Sequence, residues 1–369
     1  MTVYIYPSFA TLHATYTTIP LHIHLYDKIE HPKYGKLPNS SCTSKFQKSK
    51  LFGKSIITGL RILKQQRLSF IMTVEILGKS YEIASNESNC FKQDIKVDTT
   101  IAIGTEILIK ATYLGIIYKG TCQVVKDQGI AVISDIDDTM RIADGFDLFE
   151  LLRSSFYYNY TPVDGMTELF AKWKLKYNCR FYYVTASPDQ LFPEFDLFCA
   201  TYHFPFGYYV GKHFRWYYDD AQVSHEHTID YLMPNESMVQ VTDLQDNFDS
   251  KYTNETPEQL QNIMMDGNSK FLIYNHKYLS IFEIVSKQPN TKFILIGDDT
   301  AHDAFIFSKI KDHFPDQILH IYVRHVIKNQ HLSNSDKKSP KEYNNLEHAK
   351  KVLIGTEHTI FTKVSELMS

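Results

Sequence analysis

The stretch GIAVISDIDDT, residues 129–139, decides how the chain folds. It begins with a short, partly β-branched apolar run, which is typical of a buried strand in an α/β sheet. Three carboxylates and a hydroxyl follow directly: Asp135, Asp137, Asp138 and Thr139. A buried carboxylate is costly unless it is paired or bound to a metal. We therefore expect these side chains at the carboxyl end of the strand, where open α/β sheets bind their ligands.

Asp135 and Asp137 are two residues apart, so extended backbone places them on one face and a turn can direct both at one point. That arrangement is typical of a site that binds Mg²⁺ and attacks a phosphate. An isolated Asp-x-Asp after a strand is, however, often only a turn or a helix cap. A calcium-binding loop would need glycine in place of Met140 and glutamate in place of Phe146, so that alternative fails.

The length and composition limit the class of protein. The 369 residues suffice for two domains with a large buried core. A net charge of −3 argues against a general nucleic-acid binder. Five scattered cysteines without a Cys-x-x-Cys motif indicate reduced thiols in a cytosolic-type compartment. The start of the sequence lacks the features of a secretory leader, and no apolar run reaches about 18 residues, so we expect no transmembrane segment.

Residues 1–126 are predicted to form a β-rich domain, because strand-length segments bounded by Pro, Gly, Asn and Asp recur there. Several short strands of this kind predict a sandwich. The segments are Val3–Tyr6, Ile19–Tyr26, Leu68–Ile76 and Ile107–Tyr113. Because no acid, base and nucleophile cluster in this region, we expect no chemistry in it.

The same region contains a cationic run. Between His31 and Thr73 the sequence has nine Lys and Arg residues and no Asp or Glu, and residues 51–63 carry apolar side chains at roughly helical spacing. A basic amphipathic segment can lie on an anionic membrane surface, where each cation contributes about 1 kcal/mol. The alternative is a solvated loop followed by a helix that faces the core.

Strands and helices alternate from residue 127 to residue 369, which predicts an α/β domain with a parallel sheet flanked by helices. The strand Arg180–Pro188 ends in hydroxyls, including Thr185, and the strand Lys292–Gly297 ends in a second acidic group. That group contains Asp298, Asp299 and Asp303, and Lys277 lies between the two strands in the sequence. Since parallel strands end at one edge of a sheet, we expect these groups to converge there.

A long acidic insertion, residues 219–266, interrupts this pattern. One interpretation is a solvated lid or surface loop. Another is that its negative charge discourages unsuitable anionic partners. The sequence does not decide between them.

Four groups of residues resemble, in order and spacing, the motifs of the haloacid-dehalogenase (HAD) type phosphatases. They are Asp135-Ile136-Asp137-Asp138-Thr139, Thr185, Lys277 and Gly297-Asp298-Asp299-x-x-x-Asp303. Longer matches resemble the App1 phosphatidate phosphatases over about residues 127–369. These are Ser134–Thr139, Pro162–Met166, Tyr183–Pro188, Lys292–Asp298 and Ile321–Arg324. The resemblance implies a Rossmann-like, HAD-type sheet and a Mg²⁺-dependent release of phosphate from phosphatidate, which leaves diacylglycerol.

The resemblance also implies catalytic roles. Asp135 would attack phosphorus and form an aspartyl-phosphate. Asp137 would protonate the leaving glycerol oxygen and then deprotonate water. Thr185 and Lys277 would hold the phosphoryl oxygens, with Lys270 as an alternative for the lysine.

Mg²⁺ is the cofactor that the resemblance implies. It would be held by the side chains of Asp135 and Asp298 and by the main-chain carbonyl of Asp137. Asp299 or Asp303 would support it through water. Coordination by a few carboxylates and several waters is what Mg²⁺ prefers.

The chain departs from the family at Asp299, where serine is usual, and at Asp189, where an aromatic residue is usual. Together with the acidic insertion, Asp189 leaves the head group of the substrate open. We therefore retain two alternatives: a phosphatase of a soluble phosphorylated metabolite, and a non-catalytic lipid-binding scaffold. The scaffold is disfavoured because it has no need for a costly carboxylate cluster. The leading hypothesis is a cytoplasmic enzyme, peripheral on membranes, that acts on a lipid phosphate.

Overall fold

The structure is a computed structural model of the chain. It describes residues 2–26, 70–85, 89–143, 154–155, 159–212, 272–300, 302–327 and 345–368. The amphipathic segment 51–63, the acidic insertion 219–266 and the alternative lysine, Lys270, lie outside these residues. Among the helices that the structure describes, none is long and apolar enough to cross a membrane.

The N-terminal region is β-rich, which confirms the prediction. Its strands are β1 (Thr2–Ile5), β2 (Ser8–Leu12), β3 (Thr17–Tyr26), β4 (Phe70–Ile76), β5 (Lys79–Ser85), β6 (Cys90–Val97), β7 (Glu106–Tyr113) and β8 (Ile116–Val125). They form one sheet in the order β1-β3-β2-β8-β7-β4-β5, and β6 pairs with β3. A single core cluster draws residues from all eight strands. The strands thus form one hydrogen-bonded sheet with one core cluster, and the sandwich-like arrangement stays a prediction.

The second region is a parallel sheet flanked by helices, which confirms the predicted α/β architecture. Its strands are β9 (Gly129–Ser134), β10 (Arg180–Pro188), β11 (Gly207–Lys212), β12 (Thr291–Asp298), β13 (Ile318–Arg324) and β14 (His358–Phe361). They are ordered β11-β10-β9-β12-β13-β14, so β9 lies in the interior of the sheet. The narrower HAD-type assignment stays a prediction.

Among the residues that the structure describes, five α-helices cover the two faces of this sheet. They are α1 (Met166–Tyr177), α2 (Phe192–Thr201), α3 (Leu272–Ser286), α4 (Asp303–His313) and α5 (Asn345–Val352). Alternate residues of β9 enter different cores: Val132 packs with residues of α1 and α2, whereas Ala131 and Ile133 pack with residues of α3, α4 and α5. A strand buried on both faces has to be apolar throughout, as the sequence of β9 is.

The two regions are packed against each other. The ring of Phe9 in β2 lies 5.4 Å from that of Tyr182 in β10 and belongs to a core cluster of the parallel sheet. The hydroxyl of Tyr26 donates a hydrogen bond of 2.8 Å to the carbonyl oxygen of Asp189, which follows β10. The predicted boundary at residues 126 and 127 falls between β8 and β9, and the division into two domains stays a prediction.

Candidate active site

Two strand ends bring the acidic groups together. Asp135 follows β9, and Asp298 is the last residue of the neighbouring strand β12. The amide of Asp135 donates to the carbonyl of Ile296 at 2.9 Å, so the carboxyl ends of β9 and β12 lie side by side. Asp303 is the first residue of α4 and points back to the same place. One carboxylate oxygen each from Asp135, Asp298 and Asp303 lie within 4.8 Å of one another, and all three residues are buried.

Lys277 on α3 faces this carboxylate cluster. Its Nζ lies 2.7 Å from Oδ1 of Asp135 and 2.5 Å from Oδ1 of Asp303. Burial would lower the pKa of Lys277, but the two carboxylates outweigh burial and raise it. Lys277 therefore remains an ammonium. The alternative, Lys270, lies outside the described residues.

One ammonium does not balance three carboxylates, and the pKa values reflect this. Burial is the main cause that raises the pKa of Asp135 to about 7, with Lys277 opposing it and Asp303 adding to it. Burial, then Asp303 and Asp135, raise the pKa of Asp298 well above its usual range. The folded protein thus favours extra positive charge here, either protons or a metal ion.

The donor set of the carboxylate cluster fits a hard divalent cation. Three carboxylate oxygens that converge at one point are the ligands that Mg²⁺ takes, with water completing its coordination. The hydroxyl of Thr139 lies 3.1 Å from Oδ2 of Asp135 and 3.3 Å from Oδ2 of Asp298, so it joins the two strand ends.

Gly297 makes room for the cluster. A Cβ atom at this position would lie 2.3 Å from Oδ2 of Asp303. No side chain can approach so closely, so Asp303 reaches the cluster only because the residue before Asp298 is glycine.

Asp137 lies outside the carboxylate cluster, in a pocket of hydrogen-bond donors. Its Oδ1 accepts from Nε of Arg141 at 2.6 Å, and its Oδ2 accepts from Ser187 at 2.6 Å and from Thr185 at 3.1 Å. Burial would raise the pKa of Asp137, but Arg141 and the hydroxyls outweigh it and lower the pKa. Thr185, which we expected to hold a phosphoryl oxygen, here donates to Asp137.

Sequence reasoning missed Arg141. Its side chain is almost completely buried, and its Nη1 donates to the carbonyl of Ser154 at 3.0 Å. Its guanidinium also lies 3.9 Å from the centroid of the Tyr160 ring. The available signal was its position four residues after Asp137. Ser187 was quoted only within a motif, yet its position two residues after Thr185 places both hydroxyls on the same side of β10.

Asp138, the remaining acid of the first motif, shapes the loop. It has a positive φ of 57°, which lets the chain turn sharply after β9. Its Oδ1 accepts from the amide of Ala143 at 2.9 Å, and its carbonyl accepts from Arg324 at 2.5 Å. Asp138 therefore contributes to the loop and not to the carboxylate cluster.

Asp299 is also directed away from the cluster. Its Oδ2 lies 2.5 Å from Nδ1 of His325, and its Oδ1 accepts from the amide of Val326 at 2.9 Å. Both oxygens thus hold the segment after β13. The structure brings together three of the predicted metal ligands, Asp135, Asp298 and Asp303, and does not bring the Asp299 carboxylate to them.

This fold and site define a class: an α/β protein with a buried carboxylate site where the strands of a parallel sheet end. Residues 130–253 and 229–325 match the family described as "Phosphatidate phosphatase APP1, catalytic domain". Together these matches span 130–325, which is more than half of the chain. The chain belongs to this family.

Two other comparisons add no argument. No curated protein matches the chain. Among solved structures, a carbohydrate acetylesterase from Xanthomonas citri aligns with 10% sequence identity and a TM-score of 0.28. The alignment covers 80% of this chain and 63% of that one, so the chain spans less than two thirds of the length of that structure.

Proposed function

We propose that this protein hydrolyses phosphatidate to diacylglycerol and phosphate in a Mg²⁺-dependent reaction through an aspartyl-phosphate on Asp135. The observation that carries the proposal is the convergence of Asp135, Asp298, Asp303 and Lys277 at the carboxyl end of an interior strand. A carboxylate nucleophile next to a fixed ammonium and a candidate cation site is suited to an anionic phosphate.

In the first step, an oxygen of Asp135 forms a bond to phosphorus and the bond to the glycerol oxygen breaks. The electron pair leaves with that oxygen, which takes a proton from Asp137. Arg141 favours the ionised form of Asp137 in the free protein, but a phosphate dianion nearby would raise its pKa and favour protonation.

In the second step, water attacks the aspartyl-phosphate and Asp137 accepts its proton. The hydrogen bonds from Arg141, Thr185 and Ser187 favour this carboxylate form. The acyl-phosphate bond breaks, Asp135 is regenerated and phosphate is released. Lys277 would offset the negative charge that develops on the phosphoryl oxygens.

Asp135, Asp298 and Asp303 would hold the metal ion, with the Asp137 carbonyl as the further ligand that the resemblance implies. The metal would neutralise charge so that an anionic nucleophile can meet an anionic substrate. The buried carboxylates with raised pKa values support this role.

The test is phosphate release from three substrates, with Mg²⁺ and with a chelator: phosphatidate in vesicles, phosphatidate with short, water-soluble acyl chains, and soluble sugar and alkyl phosphates. We expect hydrolysis of both forms of phosphatidate, loss of activity with the chelator, and no activity in Asp135→Asn. The matched control is Asp312→Asn, an exposed acid on α4. Activity restricted to soluble esters would favour the metabolite phosphatase, and no release from any substrate would favour the scaffold. An active Asp135→Asn variant would rule out the covalent route.

A further inference from the structure

The hairpin of β7 and β8 ends in an exposed apolar cluster. Thr73 of β4 lies opposite Thr112 of β7, so Ile71 lies beside the turn of this hairpin. We call the cluster the apolar tip, and it consists of Ile71, Leu114, Ile116 and Ile117. Each of these side chains is between 55% and 78% exposed.

The turn of the hairpin has leucine at its first position, where asparagine is preferred. Leu114 and Gly115 form a two-residue turn, and both have a positive φ, 48° and 76°. Such a turn favours Asn-Gly, because a bulky residue is strained at positive φ. A leucine that is both strained and exposed does not serve the folding of the hairpin. It is suited to an apolar surface outside the protein.

The N-terminal strands define which way the apolar tip points. Tyr6 donates to the carbonyl of Asp189 at 3.3 Å, at the carboxyl end of β10, whereas Phe9 contacts Tyr182, near the start of β10. The chain from Tyr6 into β2 therefore runs from the active-site edge of the parallel sheet toward its opposite edge.

Strand β8 runs the same way, because it pairs in parallel with β2, with Ser8 opposite Cys122. The end of β8 confirms this direction: the carbonyl of Lys126 accepts a hydrogen bond from Arg180, the first residue of β10. The beginning of β8, with the apolar tip, is consequently on the active-site side of the molecule.

The apolar tip also extends beyond the active-site edge. A Cβ atom on Gly120 would lie 2.5 Å from Cβ of Ile5, so Gly120 is level with Ile5 and Tyr6. Ile116 lies four residues before Gly120, at the beginning of β8, which corresponds to about 14 Å at the usual rise per residue.

The charge of the hairpin complements an anionic surface. Near the apolar tip, residues 107–120 contain two lysines, Lys110 and Lys119, and no Asp or Glu. Lys119 is exposed on the flank of the apolar tip, while Lys110 pairs with Glu75 at 2.9 Å. On the same side of the molecule, Ile142 and Ile327 expose apolar side chains after β9 and β13.

We propose that the apolar tip inserts into the surface of a phosphatidate-containing bilayer and thereby docks the enzyme with its active-site edge toward the membrane. The inference rests on the proposed function, because it assumes a lipid substrate. Apolar side chains that enter the interface, with lysine near the anionic head groups, are the two components of such binding.

The test is Leu114→Asn in the full chain, measured by co-sedimentation with vesicles of phosphatidylcholine and phosphatidate. Asparagine suits the turn, so we expect an unchanged or higher thermal midpoint. Loss of one inserted leucine should weaken vesicle binding by about tenfold. Leu114→Asn with Ile117→Ser should weaken it further.

The matched control is Leu77→Asn. Leu77 and Gly78 form the same kind of turn, with φ values of 53° and 74°, at the opposite end of β4. We expect Leu77→Asn to bind vesicles like the unchanged chain. Equal binding by Leu114→Asn and Leu77→Asn would overturn the proposal. A second outcome would also overturn it: Leu114→Asn binds vesicles normally, but light scattering shows a lower mass than for the unchanged chain. The apolar tip would then join two copies of the chain.

Hydrolysis separates this proposal from the proposed function. Leu114→Asn should lower phosphate release from vesicles and leave release from short-chain, water-soluble phosphatidate unchanged. If the unchanged chain releases no phosphate from either form, the proposed function fails, while the co-sedimentation result still decides whether the tip binds a bilayer. Equal losses on both forms of phosphatidate would overturn docking as the role of the tip.

Discussion

Asp135 and Asp137 are separated by one residue, yet their surroundings shift their pKa values in opposite directions. Asp135 lies among carboxylates, and its pKa is raised to about 7, mainly by burial. Asp137 lies among donors, and its pKa is lowered because Arg141 and hydroxyls outweigh burial. A pair of carboxyl groups held apart in this way can take different roles in one reaction.

Arg141 is predicted to position Asp137 for proton transfer. Arg141→Met should lower kcat/KM, which reports the first step, for an alkyl phosphate by about 10²- to 10⁴-fold, the usual contribution of general acid–base catalysis. The loss should be much smaller for p-nitrophenyl phosphate, whose leaving group needs little protonation. Steady-state kinetics on both substrates checks this, and Arg141→Lys should restore part of the loss. Equal losses on both would indicate that Arg141 only stabilises the loop.

The sequence predicted which side chains converge more completely than it predicted their contacts. The convergence of Asp135, Asp298, Asp303 and Lys277 could be predicted because each has a fixed position relative to a strand or in a motif. The contact between Asp137 and Arg141 could not, because it depends on the path of the loop after β9. The direction of Asp299 depends equally on the loop after β12.

At the scale of elements, the carboxylate cluster is the meeting point of β9, β12, α3 and α4. A carboxyl whose pKa rises on folding stabilises the folded state while it is protonated. That stability is lost as the pH rises from the ordinary 3.8 of an aspartate toward the folded value of about 7 of Asp135. Above this range the ionised carboxylates repel one another unless a cation is bound.

Mg²⁺ should therefore raise the thermal midpoint more at pH 8 than at pH 5, since protons replace the metal at the lower pH. Melting curves with chelator and with Mg²⁺ at both pH values measure the effect. Asp298→Asn should abolish the shift, and the exposed control Asp312→Asn should retain it. A shift of equal size at both pH values would contradict the assignment of the carboxylates as ligands.

Strands made almost entirely of apolar residues were predictable, whereas strands rich in polar residues were not. Strands β9 and β12 are short, apolar and followed by polar residues, so their burial on both faces could be inferred. Strands β5 and β6 are rich in polar residues because their outer faces are exposed, and they lack the apolar signal. The single N-terminal sheet depends on the ten-residue strand β3, which pairs with β1, β2 and β6.

At the scale of the molecule, the N-terminal sheet and the parallel sheet share buried side chains. Phe9→Ala should destabilise the chain by about 3–5 kcal/mol, the usual cost of removing a buried phenylalanine. Because Phe9 belongs to a core of the parallel sheet, both regions should unfold in one transition at lower denaturant. Circular dichroism and tryptophan fluorescence would report the two regions together. The control is Leu12→Ala on the same strand, a partly buried residue that should cost less.

The hydrogen bond from Tyr26 to the carbonyl of Asp189 has a consequence for how this enzyme can be dissected. Asp189 comes two residues after Ser187, whose hydroxyl donates a hydrogen bond to Asp137, the proposed acid and base. Through this hydrogen bond, the N-terminal strands stabilise the turn after β10, next to the candidate active site. A fragment that starts at residue 127 would retain every proposed catalytic residue and lose the hydrogen bond from Tyr26. We expect such a fragment to be a poorer catalyst than the full chain.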